Sequence, residues 1–246
     1  MRKIYKTDGS PEGFFTAVFD VFAERKKEIA EIISCSDFQT EFFDEYKKVL
    51  PDSEKATRVV NKLRLIDKRS LYEIDYMLRT PAFDREQTAF LYIRRLLQYE
   101  KPVREMLGFP EIRRAMDLVR QVSFEAERMR GFLRFYETET GIFYSACTPD
   151  NDLIDLLAEH FCARFRRTPF VIHDVRKQKA AIYNGSSYIV VPAAKADVLY
   201  SEDEDVFLNL WKQYYNAVTI VERKNTRQMK RYMPVRYWKF LPEKEL

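Results

Sequence analysis

Residues 223–239 read RKNTRQMKRYMPVRYWK, and their types could hold a phosphate backbone. Arg223, Lys224, Arg227, Lys230, Arg231, Arg236 and Lys239 supply seven cations with no acid between them, interleaved with Tyr232, Tyr237 and Trp238. The whole chain nets only +4, so this segment is more positive than the protein that carries it. Cations attract phosphates, aromatic faces stack on bases, and the amides of Asn225 and Gln228 can make paired hydrogen bonds. A second reading stays open: a solvated helix face followed by a packed Pro–aromatic segment.

A second group lies upstream. A helix opening at Pro149-Asp150 carries Leu153, Ile154, Leu157 and Phe161 on its apolar face, with His160 and Arg164 one turn apart on its flank. A cation beside an apolar face is costly unless an anion meets it. Arg164 therefore either pairs with a buried acid, Asp174 or Glu125, or lines a groove with His160 that receives phosphate. In His173-Asp174-Val-Arg176 the His and Asp are strand neighbours and point to opposite faces, which makes a poor dyad. His160 with Asp174 is the better acid/base pair, and these two are the catalytic candidates. Arg134, Arg164 and Arg176 are the candidates for a nucleic-acid groove. Cys147 has no basic neighbour in sequence and reads as a core thiol.

Absences narrow the chemistry further. Two histidines and no closely spaced cysteines argue against a structural zinc site. Six glycines, with no GxxxxGK[ST] and no GxGxxG, argue against a phosphate-cradling loop, so no metal and no cofactor are expected. Three scattered cysteines suit a reducing cytoplasm. No apolar run approaches a membrane span, and the first residues lack a signal peptide's apolar stretch. At 246 residues, 46% hydrophobic and 33% charged, the chain has ample length for a core.

The elements that must position these residues fall into a helical part, 1–128, and an α+β part, 129–246. Residues 3–5 form a short strand. Ser10 caps a helix with Pro11 at its first position. Further helices start at Asp52 or Ser53, run over 71–78, open on an Asp84–Gln87 capping box through Tyr99, and follow Pro110 to about Arg128. From Gly131 the period shortens: 132–136 and 142–144 flank a turn ending in Gly141, and strands follow at 170–173, 180–183 and 188–191. A last helix carries Val206, Phe207, Leu210, Trp211, Tyr214 and Val218, with Trp211 on its apolar face. The class is α+β, a helical N-terminal part packed with a small antiparallel sheet and flanking helices.

Four stretches, YKTDGSPEGFFTAVFD, FEAERMRGFLRFYET, TPDNDLIDLLAEHFCARF with FVIHDVRKQKAAIY, and WKQYYNAVTIVERKNTRQMKRYMPVRYWKFLPE, resemble one bacterial family assigned to DNA metabolism or DNA repair. The resemblance spans nearly the whole chain and is loosest between residues 35 and 110. In that family the unit occurs beside a radical S-adenosylmethionine protein that binds DNA, or fused to a uracil-DNA-glycosylase-type domain. Matching positions are Glu125, Arg134, Phe135, His160, Phe161, Arg164, Asp174, Arg176, Arg223, Asn225, Gln228, Pro234 and Trp238. The resemblance implies a DNA-binding accessory of a repair or modification enzyme. Two alternatives remain: an enzyme acting on nucleic acid or a modified nucleotide, and a protein-interaction module with a basic docking tail.

Overall fold

The computed structural model describes residues 2–25, 30–34, 44–194, 207–211, 213, 217 and 225–244. The chain forms two compact units, Met1–Ser123 and Phe124–Leu246.

In the first unit, β1 (Lys3–Lys6) is the centre of a parallel sheet between β2 (Ala30–Ile33) and β3 (Glu45–Lys48). Parallel strands need crossovers, and α1 (Pro11–Ala23) supplies the first. Its start follows the sequence: the Ser10 hydroxyl accepts from Gly13 N at 3.0 Å, with Pro11 at the first position. Asp52 likewise caps α2 (Ser53–Ile66), accepting from Glu54 N and Lys55 N. α3 (Lys68–Leu78) and α4 (Arg85–Tyr99) follow. Tyr5, Phe14, Val18, Ile32, Leu63, Ile74, Phe90 and Ile93 make one buried core, each large side chain contributing roughly 1.5–3 kcal/mol of burial.

The expected capping box at α4 does not form. Arg114 takes both oxygens of Asp84 at 2.8 Å, while Gln87 accepts from Ile32 N at 3.0 Å and donates to Ala30 O at 3.4 Å. Two correct cap residues serve long-range partners instead.

α5 (Pro110–Phe132) outruns its expected end by four residues, so the 132–136 strand shrinks to β4 (Tyr136–Glu137). The second unit's sheet runs β4-β5-β6-β7-β8, with β5 (Phe143–Cys147), β6 (Phe170–Asp174), β7 (Lys179–Tyr183) and β8 (Tyr188–Pro192). Every pairing is antiparallel except β5 with β6, which α6 (Ile154–Phe165) joins as a crossover. The α+β class holds. Phe135 wedges between α6 and the sheet, its ring 4.8 Å from Phe161, 4.7 Å from Phe165 and 5.8 Å from Phe170. Gly185 (φ +94) turns β7 into β8, where any Cβ would sit 2.5 Å from Arg167 O. Near the C-terminus come α7 (Thr226–Tyr232) and a 3-10 segment, Val235–Phe240. Of the helix expected over 206–218, residues 207–211, 213 and 217 are described and are helical; Val206, Tyr214 and Val218 lie outside the described residues.

Candidate nucleic-acid interface

α7 carries the basic run and buries none of its residues. Arg227, Lys230 and Arg231 are exposed, and none forms an ion pair among the described residues. Asn225 caps the helix, its side-chain oxygen accepting from Gln228 N at 3.0 Å. Its amide nitrogen and that of Gln228 remain at the surface. Arg223 and Lys224 lie outside the described residues.

Beyond Pro234 the segment changes character. Tyr237 is buried and donates to the Glu125 carboxylate, while Trp238 is half-buried and donates its indole Nε1–H to Met233 O at 2.9 Å. Lys244 sits 5.9 Å from the Trp238 ring centroid. Trp211, expected on a core face, is 37% exposed with the Arg134 guanidinium 5.4 Å from its ring centroid. Apolar periodicity marks a face of a helix but does not say whether anything packs there.

Glu125 anchors the polar centre of the second unit. Its buried carboxylate accepts from Asp150 N at 2.9 Å, Asn151 N at 2.8 Å, Asn151 Nδ2 at 2.6 Å and the Tyr237 hydroxyl. Burial pushes the Glu125 carboxyl up, and these donors outweigh it, holding the group below its ordinary value. Burial and the Glu125 hydrogen bond push the Tyr237 phenol up. Arg236 reaches Asp150 at 2.6 Å, and Arg176 meets the same carboxylate at 3.1 Å. Lys177 donates to Pro149 O at 2.7 Å, Asn151 O at 2.9 Å and Asp174 at 3.1 Å. Asp174, fully buried, also accepts from Arg176 N and Lys177 N at 3.1 Å each. Three cations thus meet three carboxylates, and the cluster is balanced.

Arg164 pairs with neither Asp174 nor Glu125; it is exposed on the last turn of α6 and has no ion pair among the described residues. Arg176 sits before the first turn of α6, beside Asp150. Ile154 and Arg164 are about 15 Å apart at the helical rise, so Arg176 and Arg164 lie at opposite ends of α6. His160 and Asp174 are separated in the same way. His173 lies on the other sheet face from Asp174, its Nδ1 2.8 Å from the Tyr144 hydroxyl. Cys147 is buried beside Asp174, and burial pushes its thiol up, which makes a poor nucleophile.

Arg134 and Arg164 do belong to one end of the unit, with His160. Arg134 donates to Gly131 O at 2.8 Å at the end of α5. Burial lowers the His160 pKa, and the charges of Arg130 and Arg164 lower it further against the opposing Glu127. Arg130 and Glu127 were not singled out by their types. Their i, i+3 spacing would have shown a shared face had α5 been read past Arg128.

Among the described residues no cluster of three or more His, Cys, Asp or Glu could hold a metal ion, and no helix is long and apolar enough to cross a membrane. The family model of DUF4130, a domain of unknown function, matches residues 83–243. No curated protein matches the chain.

Proposed function

The chain belongs to the DUF4130 family, and we propose that it is a cytoplasmic DNA-binding accessory in DNA repair or modification, gripping backbone phosphates through α7 and the segment after it. The observation that carries this reading is the state of α7: Arg227, Lys230 and Arg231 project from a helix that buries nothing, and no acid neutralises them among the described residues. Such charges release counterions when they meet a phosphate backbone. Arg134, whose guanidinium lies 5.4 Å from the Trp211 ring centroid, and Arg164 add positive charge at the α6 end of the unit. The likeness of its motifs to a repair-associated family supports a radical S-adenosylmethionine or glycosylase-type partner.

Reading the chain as an acid/base enzyme through His160 and Asp174 gains nothing from the geometry, because Asp174 is held by Lys177 at the far end of α6. The balanced Arg176–Asp150–Arg236 cluster is a structural tie, and its two half-exposed guanidinium groups are secondary contacts at most.

The test is the salt dependence of binding to duplex DNA. The logarithm of affinity should fall with the logarithm of salt by about 0.7–0.9 per contacted phosphate. Replacing Arg227, Lys230 and Arg231 together by Ala should flatten that slope by roughly two to three units. An unchanged slope in the triple variant overturns the grip by α7.

A further inference from the structure

Two anchors set the second half of α5 beside α6, running in the same direction. At one end Glu125 holds Asn151 at 2.6 and 2.8 Å. At the other, Phe135 packs on Phe161 and Phe165 at 4.8 and 4.7 Å. Between them Glu127 and Arg130 lie one turn apart on α5, Arg134 follows just past its end, and the charges of Glu127 and Arg130 act on His160 of α6. Arg164 stands one turn beyond His160 on α6. Among the described residues, the charged groups that act on the imidazole are Arg130 and Glu127 from α5 and Arg164 from its own helix.

This arrangement is unbalanced, unlike the cluster at Glu125. Glu127 reaches Arg130 at 2.9 Å, but its side chain is 73% exposed, so solvent and salt weaken the pair. The Arg130 Nε is buried and has no hydrogen-bond partner among the described residues. Arg164 has no acid at all among the described residues. Two guanidinium groups and an imidazole therefore share this end of α5 and α6 with one exposed carboxylate.

We propose that Arg130, His160 and Arg164 form a phosphodiester site whose occupation takes up a proton at His160, so that DNA binding tightens as pH falls; this rests on the DNA-binding reading above. In the free protein, burial and the two guanidinium charges keep the imidazole neutral to lower pH than usual. A bound phosphodiester reverses the sign of the local charge and favours imidazolium. The folded protein then has two values for one group, lower when free and higher when bound. Affinity is weakest above the bound value, strengthens as pH falls between the two, and levels off below the free value. The gain is about tenfold for each pH unit by which the two values differ.

With His160 and His173 the only histidines, ring-nitrogen NMR reads the site directly. The signal missing in His160→Gln is followed through pH with the thymidine dinucleotide TpT, a short duplex, sulfate or chloride at matched ionic strength. His160 should titrate at higher pH with TpT and with duplex than with chloride, and duplex affinity should gain its pH dependence in the wild type and lose it in His160→Gln. A duplex that binds with its full salt slope while His160 titrates as in chloride overturns this inference and leaves DNA binding by α7 standing. Sulfate moving His160 as far as the duplex does would assign the site to free anions and overturn it as a backbone site. A duplex that fails to bind at all removes both readings.

Discussion

The first unit and the C-terminal segment of the second hold cations in opposite ways. Each unit nets +2, with 23 cations against 21 acids in 1–123 and 19 against 17 in 124–246. In the first unit two groups of charges close on one another, one around Glu24 and Asp20 and one around Glu73, while Lys6, Lys48, Arg64 and Lys68 stay exposed with no ion pair among the described residues. Glu24 accepts from Lys3 at 2.6 Å, Lys47 at 2.8 Å and Tyr5 at 2.9 Å, and the hydrogen bond from Lys3, followed by that from Lys47, brings its carboxyl down to about 2. Asp20 takes Lys47 at 2.7 Å and Lys55 at 2.9 Å. Arg104 is held by Glu73 at 2.6 Å and by Asp67. In α7 three cations are exposed and have no such partner among the described residues. The comparison separates charge that holds a fold from charge left available to a ligand, a distinction that net charge cannot make.

The largest expected effect lies in the closed networks. The Glu73 side chain is 3% exposed and satisfies Arg104, Arg69 at 3.3 Å and the Tyr92 hydroxyl. Glu73→Ala leaves a largely buried guanidinium and a buried phenol short of a partner. It should cost about 3 kcal/mol in urea unfolding, with Asp67 retaining part of the Arg104 interaction. A cost under about 1 kcal/mol would make this network no different from surface pairs.

Glu125 gives a smaller effect with a pH signature. Its carboxyl is lowered in the folded protein, so the stability it contributes is fully present above its unfolded value and lost as pH falls through the folded one. Glu125→Gln should cost about 1–3 kcal/mol near neutrality, where the charged acceptor is replaced by an amide among four donors. The difference between wild type and variant should narrow as pH drops below about 4.5. A difference independent of pH would mean that the network does not depend on the carboxylate charge.

What could be read from sequence was local. Ser10 with Pro11, and Asp52 ahead of Ser53, cap the helices they signalled because a cap needs only neighbours within three residues. Strands 170–174, 179–183 and 188–192 showed through β-branched and aromatic runs between turns. β2 and β3 did not. Ala-Glu-Ile-Ile and Glu-Tyr-Lys-Lys are four residues each, and only pairing with β1 makes them strands. The β5–β6 pair was hidden as well, because a helix between two strands fits either direction until register is known. At the site, the flank position of His160 and Arg164 was legible from helical period. Arg130 opposite them was not, since finding it required the last turn of α5, where Phe-Leu-Arg-Phe-Tyr imitates a strand. The tie between Arg236 and Asp150 joins residues 86 apart and leaves no local trace.

The smallest expected effect sharpens the comparison most. Arg227 and Arg231 are one helical turn apart, and Lys230 lies three residues from Arg227, so α7 stacks like charges that destabilise a helix by about 0.2–0.5 kcal/mol per pair. Replacing all three by Ala removes that repulsion and inserts the residue with the best helix propensity. No ion pair among the described residues is lost, and the Asn225 cap stays. The triple variant should therefore unfold within about 0.5 kcal/mol of the wild type, or slightly later, while its salt-dependent DNA binding weakens. Stability given up at an exposed site and recovered on removing its charges is the pattern of residues kept for a ligand. A loss above about 1 kcal/mol in thermal unfolding would show that the folded chain itself engages these cations. The second region would then hold its charges as the first does, and α7 would have none left for phosphate.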